Sequence, residues 1–169
     1  LNPSEEALRR ARELASRVRV FNGDGATRDG HEVQLLANVG DAAGARSAAE
    51  AGAMGVGLFR TEFCFLDQPE EPTIEAQVEA YRGVLEAFPG KKVVVRTLDA
   101  GADKPLPFLT DSTEANPALG VRAYRTARRD PEVLEHQLQA LAKAEAVTSA
   151  KVWVMAPMIS TADEAKAFT

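Results

Sequence analysis

The sequence is poor in cysteine, in aromatic residues and in long apolar runs. Its single cysteine, Cys64, cannot form a disulfide within the chain, and this favours a reducing, cytoplasmic setting. No apolar run approaches the roughly 18 residues that cross a bilayer, so we expect no membrane insertion. The formal net charge of -5 argues against nucleic-acid binding.

Apolar runs typical of strands alternate with segments that have helical periodicity. Strands are predicted at residues 33–39, 54–59, 92–98 and 152–156. Helix starts are predicted after Asp41, Thr73 and Asp130, and again at Ser160 or Thr161. This alternation predicts an α/β fold with a parallel sheet. Because the strands are continuously apolar, we also expect both faces of that sheet to be buried.

The first 30 residues differ from the rest. They contain a helix that Asn2 or Ser4 can cap, followed by a polar stretch with glycines. We interpret residues 1–30 as a linker helix and connecting segment, and residues 31–169 as the folded domain. The alternation leaves an open doubly wound sheet and a (β/α)₈ barrel as possible architectures. A barrel needs about 250 residues, so we expect this chain to be a fragment.

Polar residues follow the second and third predicted strands. Arg60 precedes Thr61 and Glu62, and Arg96 lies three residues before Asp99. Both architectures bind ligands at the carboxyl ends of parallel strands. Guanidinium groups match phosphate and carboxylate oxygens in planar, two-pronged hydrogen bonds. The pattern therefore predicts an anion site, although each arginine could instead pair with the nearby acid and only brace the strand end.

A long segment follows the third strand, from residue 99 to about residue 124. Such long connections are usually functional or disordered, and the turn residues and apolar content of this one argue against disorder. It carries Arg122, which could fold over the strand ends and meet Arg60 and Arg96. The alternative is that Arg122 is solvated.

Four segments resemble, in this order, signatures of the phosphoenolpyruvate-utilising enzyme family. They are Gly55–Phe63, Val95–Pro107, Asn116–Ala123 and Met155–Ile159. The resemblance covers nearly the whole chain and is closest to the Enzyme I branch, the phosphoenolpyruvate–protein phosphotransferases. It implies a (β/α)₈ TIM barrel of the phosphoenolpyruvate-binding type, of which this chain would be the first half.

The resemblance also implies roles for six residues. Those that would hold the phosphoryl group of phosphoenolpyruvate are Arg60, Arg96 and Arg122. Those that would orient these arginines are Glu62, Asp99 and Asp103. No metal ligand is expected in this chain, because the carboxylates that hold Mg²⁺ in the family belong to later strands.

The reaction implied is transfer of a phosphoryl group from phosphoenolpyruvate to a histidine of the same enzyme and on to a phosphocarrier protein, for sugar uptake. That histidine would lie in an N-terminal domain outside this sequence. We expect the parent to be a cytoplasmic homodimer and the fragment alone to be inactive. The alternatives are a fragment of pyruvate phosphate dikinase or phosphoenolpyruvate synthase, or a non-catalytic anion-binding regulatory module.

Overall fold

The computed structural model describes residues 2–17, 25–66, 68–101, 103–111, 113–116 and 119–169. Helices and strands alternate along them. The strands are β1 (Ala37–Val39), β2 (Val56–Arg60), β3 (Lys92–Arg96) and β4 (Lys151–Met155). The α-helices are α1 (Glu5–Ala15), α2 (Ala42–Glu50), α3 (Ile74–Leu85), α4 (Pro131–Ala146) and α5 (Ala162–Phe168). 3₁₀ helices cover Thr61–Cys64 and Ala123–Arg128.

The four strands form one parallel sheet in the order β1-β2-β3-β4. Each strand therefore pairs with its neighbour in sequence, and the order does not reverse as it does in a doubly wound sheet. Because parallel crossovers are right-handed, consecutive strands in this order place their helices on the same face. The predicted α/β fold with a parallel sheet is confirmed.

Side-chain caps fix where most of the helices begin. Asp41 accepts a hydrogen bond from the amide of Gly44 at 2.7 Å, and Thr73 accepts one from Ala76 at 3.2 Å. Thr161 and Glu164 form a reciprocal capping box at the start of α5. These contacts satisfy amide groups that have no partner within the first helical turn. The predicted starts of α2, α3 and α5 are therefore confirmed.

The main core lies between the sheet and the helices α2, α3 and α4. Its largest members are Phe59 of β2, Tyr81 and Leu85 of α3, and Phe88 beyond α3, all fully buried. Phe59 and Tyr81 meet edge to face, with ring centroids 5.9 Å apart. A second, smaller cluster lies under the strand ends and contains Phe65, Leu98, Ala100, Leu106 and Leu109.

The prediction that both faces of the sheet are buried is wrong for the part of the chain that the structure describes. Residues of β3 alternate between buried and half-buried, and β4 is largely exposed, with Trp153 at 59%. The reason is that the described helices pack on one face only. The strands are also shifted or shorter than predicted, most clearly β1, which begins at Ala37 instead of residue 33.

Helix α1 stands apart from this core. Ser4 caps it by accepting a hydrogen bond from Ala7, and no residue of the helix is buried. The division at residue 30 stays a prediction. Among the described residues, no helix is both long enough and apolar enough to cross a bilayer.

Candidate functional site

Arg60 and Arg96 lie side by side at the carboxyl ends of β2 and β3. They are register partners in the parallel pair, so their Cα atoms are neighbours across the sheet, a spacing of about 4.8 Å. Register partners in a sheet project from the same face. The structure therefore brings these two arginines to one edge and one face, as the sequence predicted.

From Arg96 a chain of alternating charges continues around the strand ends. Its members, in spatial order, are Lys104, Glu62, Arg96, Asp99, Arg122 and Asp103. Asp99 joins two of the predicted arginines, since one carboxylate oxygen lies 3.2 Å from Nη1 of Arg96 and the other lies 3.0 Å from Nη2 of Arg122. All three predicted acids contact at least one predicted arginine.

Glu62 is the most deeply buried residue in this series of alternating charges, with 1% of its surface exposed. Its Oε1 atom accepts from Nη2 of Arg96 and lies 3.2 Å from Nζ of Lys104. Burial of a carboxylate is costly unless it is paired, and two cations pair with this one. Its other oxygen, Oε2, is buried and has no hydrogen-bond partner among the described residues.

Arg122 reaches the site because the long segment before it is anchored. Leu106 and Leu109 are buried in the smaller core, and the amide of Ala123 donates to the carbonyl of Ala100 at 3.0 Å. The side chain of Arg122 also passes close to Gly101, where a Cβ atom would lie 3.0 Å from Cβ of Arg122. Desolvation lowers the pKa of Arg122, but the hydrogen bond and charge of Asp99 more than offset this, so the pKa is raised.

Arg60 is held differently. Its guanidinium carbon lies 4.8 Å above the ring centroid of Phe63, a cation–π contact. Phe63 in turn packs over Gly40 at the end of β1, where a Cβ atom would come within 2.8 Å of the ring. Within the described ranges, no carboxylate lies at ion-pair distance from Arg60, and its buried Nε has no hydrogen-bond partner.

A buried hydrogen-bond network fixes the two strand ends relative to each other. Gln137 of α4 accepts from the amide of Leu98 at 2.8 Å and donates to Thr61 and to the hydroxyl of Tyr81, each at 3.1 Å. Thr61 donates to the carbonyl of Arg96 at 2.7 Å. The segments just beyond β2 and β3 are therefore tied both to each other and to the helix layer.

Sequence reasoning did not single out Lys104, Phe63 or Gln137. Lys104 and Phe63 lie inside two of the signature segments, and a search for every basic or aromatic residue in those segments would have found them. Gln137 carries no such signal. It sits among polar residues of a long amphipathic helix, and only the packing of α4 shows that it is buried.

The described residues do not fit a magnesium ion. None of the acidic, histidine or cysteine side chains in the described ranges forms a cluster of three suited to a metal. The carboxylates nearest the arginines are those of Glu62, Asp99 and Asp103, and each is paired with a cation. A paired carboxylate is a poor ligand, because the metal would have to displace the arginine or lysine.

Cys64 lies at the end of the first 3₁₀ helix and packs against both apolar clusters. Burial, with smaller contributions from the charges of Asp41 and Glu62, raises the pKa of its thiol to about 12. The thiol is therefore protonated at neutral pH, whereas a nucleophilic cysteine needs its thiolate.

The arrangement as a whole suits recognition of a small anion. Four cations lie around the carboxyl ends of the strands together with three carboxylates, and the arginines offer directed N–H donors.

Residues 16–169 match the family model described as PEP-utilising enzyme, PEP-binding domain. The chain belongs to the phosphoenolpyruvate-utilising enzyme family.

Three relatives illustrate how far the similarity extends, and all carry the name phosphoenolpyruvate-protein phosphotransferase. That of Streptomyces coelicolor is 56% identical over 99% of this chain and 31% of its own length. Those of Staphylococcus carnosus and Bacillus subtilis are 41% and 40% identical, over 97% and 98% of this chain and 30% of their own lengths. The chain thus spans about 30% of the length of these curated relatives.

Proposed function

We propose that this chain is the phosphoenolpyruvate-binding portion of a phosphoenolpyruvate–protein phosphotransferase, and that Arg60, Arg96 and Arg122 hold the phosphoryl group. The observation that carries the proposal is the register pairing of Arg60 with Arg96 at the carboxyl ends of two parallel strands. Names of relatives from three organisms favour this enzyme over a dikinase or synthase.

The charge balance of the site supports anion binding. The six-membered chain of alternating charges is neutral by itself, since three cations alternate with three carboxylates. Arg60 adds one positive charge next to it. The carboxylates hold the other guanidinium groups in place before the ligand arrives, which reduces the reorganisation needed to bind a phosphoryl group.

Phosphoryl transfer depends mainly on positioning and on neutralising charge over the phosphoryl oxygens. Arg60 and Arg96, side by side on one face, can each donate to those oxygens while Arg122 closes over them from the loop. Lys104 strengthens the local positive potential and shares Glu62 with Arg96. In this account each of these residues acts by binding and orienting the phosphoryl group.

We further propose that the sheet is the first part of a (β/α)₈ barrel. The unreversed strand order and the helices on one face support this architecture. In a barrel the other face points inward, and this accounts for the apolar but uncovered side chains of β4, such as Trp153.

The proposal extends to the parent protein. It would be a cytoplasmic homodimer that phosphorylates its own histidine and passes the group to a phosphocarrier protein, and Mg²⁺ would be held by residues outside this chain. We expect the chain alone to be inactive for that reason. Detection of pyruvate release from phosphoenolpyruvate by the isolated chain would contradict this.

Titration calorimetry with phosphoenolpyruvate and the full-length protein tests the anion site. Replacing Arg60 by Met should weaken binding by a factor of ten or more, because a charge-assisted hydrogen bond contributes roughly 1.5–3 kcal/mol. The matched control is Arg82→Met, which removes an arginine of α3 that forms ion pairs with exposed Glu79 and Glu86. Unchanged affinity in Arg60→Met, together with a normal fold, would overturn the proposal.

A further inference from the structure

A second ionic cluster follows Arg122 in the chain, and its residues are not among those proposed to bind the anion. Its centre is Glu164 of α5, which is 5% exposed. Arg125, in the second 3₁₀ helix, donates from Nε to this carboxylate at 2.8 Å, and the exposed Arg128 lies 3.5 Å from it. From Nη2, Arg125 also donates to Ser160 at 2.8 Å and to the carbonyl of Met158 at 3.3 Å.

Glu164 joins this cluster to the backbone of the β4–α5 connection. Its Oε2 atom accepts from the amides of Ser160 at 2.9 Å and Thr161 at 3.2 Å. The side-chain hydrogen bond from Arg125, followed by the amide of Ser160, lowers the pKa of Glu164 to about 2. The carboxylate is therefore charged throughout the physiological pH range. The ion pair then connects the second 3₁₀ helix to α5 at every physiological pH.

The 3₁₀ helix that carries Arg125 begins directly after Arg122. The amide of Arg125 donates to the carbonyl of Arg122 at 3.2 Å, so the two residues share one turn of backbone. Ala123 between them has a φ of 56° and Met158 has a φ of 61°. Such left-handed conformations are costly for residues other than glycine, and they persist only where surrounding contacts enforce them.

Both strained residues lie in the two segments that Arg125 joins. Met158 offers its carbonyl to Arg125, and Ala123 donates its amide to Ala100 in the segment that follows β3. The turn that aims Arg122 is thus fixed on one side by the segment that follows β3 and on the other by the β4–α5 connection and α5. Among the described residues, the ion pair of Arg125 and Glu164 is the shortest ionic contact on the second side, where Arg128 also approaches Glu164 and Tyr124 meets Phe168 edge to face.

We propose that Arg125 and Glu164 are positioning residues for phosphoenolpyruvate binding, which act by holding the turn that directs Arg122 toward Asp99. The inference rests on the proposed function, because it assigns these residues a role through Arg122. Neither residue touches the anion, and the effect of removing them passes through the orientation of one guanidinium group.

A double-mutant cycle on the full-length protein, with phosphoenolpyruvate as the titrant, tests this role. Arg122→Met should raise the Kd about tenfold, and Arg125→Met should raise it about three- to tenfold. The double variant should bind no more weakly than Arg122→Met, because Arg125 has nothing left to position. The conservative variant Arg125→Lys should recover part of the affinity that Arg125→Met loses.

Two further variants guard against a purely structural explanation. Glu164→Gln keeps an oxygen that can cap α5 but removes the charge that holds Arg125, and it should reproduce the loss of affinity with little change in the melting temperature. Arg82→Met, in α3, should bind as the unmodified protein does. If Arg125→Met fails to fold, Glu164→Gln combined with Arg122→Met provides the same cycle.

The outcomes separate this inference from the function on which it rests. Losses from Arg122→Met and Arg125→Met that multiply in the double variant would overturn the positioning role, as would unchanged affinity in both Arg125→Met and Glu164→Gln. An unaffected Arg122→Met would overturn it too, while Arg60→Met could still weaken binding and support the function. If Arg60→Met folds normally and does not weaken binding, the proposed function itself fails.

Discussion

Arg60 and Arg96 occupy equivalent places at the ends of adjacent strands, yet their surroundings are opposite. Arg96 contacts two carboxylates, those of buried Glu62 and of Asp99. Arg60 rests on the ring of Phe63 and, among the described residues, has no acidic partner. Among the described residues, one arginine is thus held by charge pairing and its neighbour by packing against an aromatic ring.

An anion site must both orient its guanidinium groups and keep positive charge available for the ligand, and the two arginines differ in these respects. A guanidinium group held by carboxylates is well oriented but partly neutralised, whereas one held by an aromatic ring keeps its full charge for a ligand. Breaking a buried pair also leaves an uncompensated charge, so the paired arginine contributes to stability as well as binding. The following substitutions separate these tasks, from the largest expected effect to the smallest.

Arg96→Met should be the most damaging change. Among the described residues, it leaves Glu62, at 1% exposure, with Lys104 as its remaining cation partner, and loss of one member of a buried pair typically costs about 3 kcal/mol or more. Calorimetric unfolding should show a lower transition temperature for this variant, whereas Arg60→Met should unfold close to the unmodified protein. Equal destabilisation by the two variants would remove the distinction drawn between them.

Gln137→Leu should come next. It removes a side chain that bonds Leu98, Thr61 and Tyr81 in the buried network, and unsatisfied buried polar groups cost roughly 1–3 kcal/mol. Thermal unfolding measures the loss. Gln139→Leu is the control on the same helix, because Gln139 is exposed, and it should have little effect. A stable Gln137→Leu variant would show that the network is dispensable for the strand ends.

Phe63→Leu should weaken phosphoenolpyruvate binding only a few-fold. It removes the ring under Arg60 but keeps an apolar side chain, and a cation–π contact of this kind contributes about 0.5–1 kcal/mol. Titration calorimetry should detect the change without a matching loss of thermal stability. In the Arg60→Met background, Phe63→Leu should have no further effect on affinity.

The smallest expected effect is the loss, at acid pH, of the stability that the ion pair of Glu164 contributes. The pKa of Glu164 is lowered to about 2 in the folded state, so its ion pair contributes stability fully above its ordinary pKa of 4.5. The contribution is lost as pH falls from there toward 2, because the unfolded chain takes up the proton first. Arg125 and Arg128 are partly exposed, and solvent screening keeps the effect small. The stability difference between Glu164→Gln and the unmodified protein should therefore narrow over this range in acid unfolding curves.

Several features could be predicted from the sequence because they depend on local chemistry. The capping residues Asp41 and Thr73 mark helix starts through contacts within the first helical turn. The alternation of apolar runs with helical segments predicts a parallel sheet. The arginines at the strand ends follow from the same pattern. The 3₁₀ helix at Ala123–Arg128 was not predicted, since its left-handed first residue is an alanine, which by itself disfavours that conformation.

The sequence by itself determined the order of strands and α-helices, the parallel arrangement of the strands and the presence of Arg60 and Arg96 at strand ends, because a helix between successive strands requires a parallel crossover. Only the tertiary structure decided that Arg96 pairs with carboxylates whereas Arg60 packs on an aromatic ring. The partners Glu62, Phe63 and Asp99 each lie two or three residues beyond a strand end, and the approach of β1 and of the long loop selects among them. It also buried Gln137 and joined Arg125 to Glu164, because such pairings across distant segments depend on packing and not on local sequence.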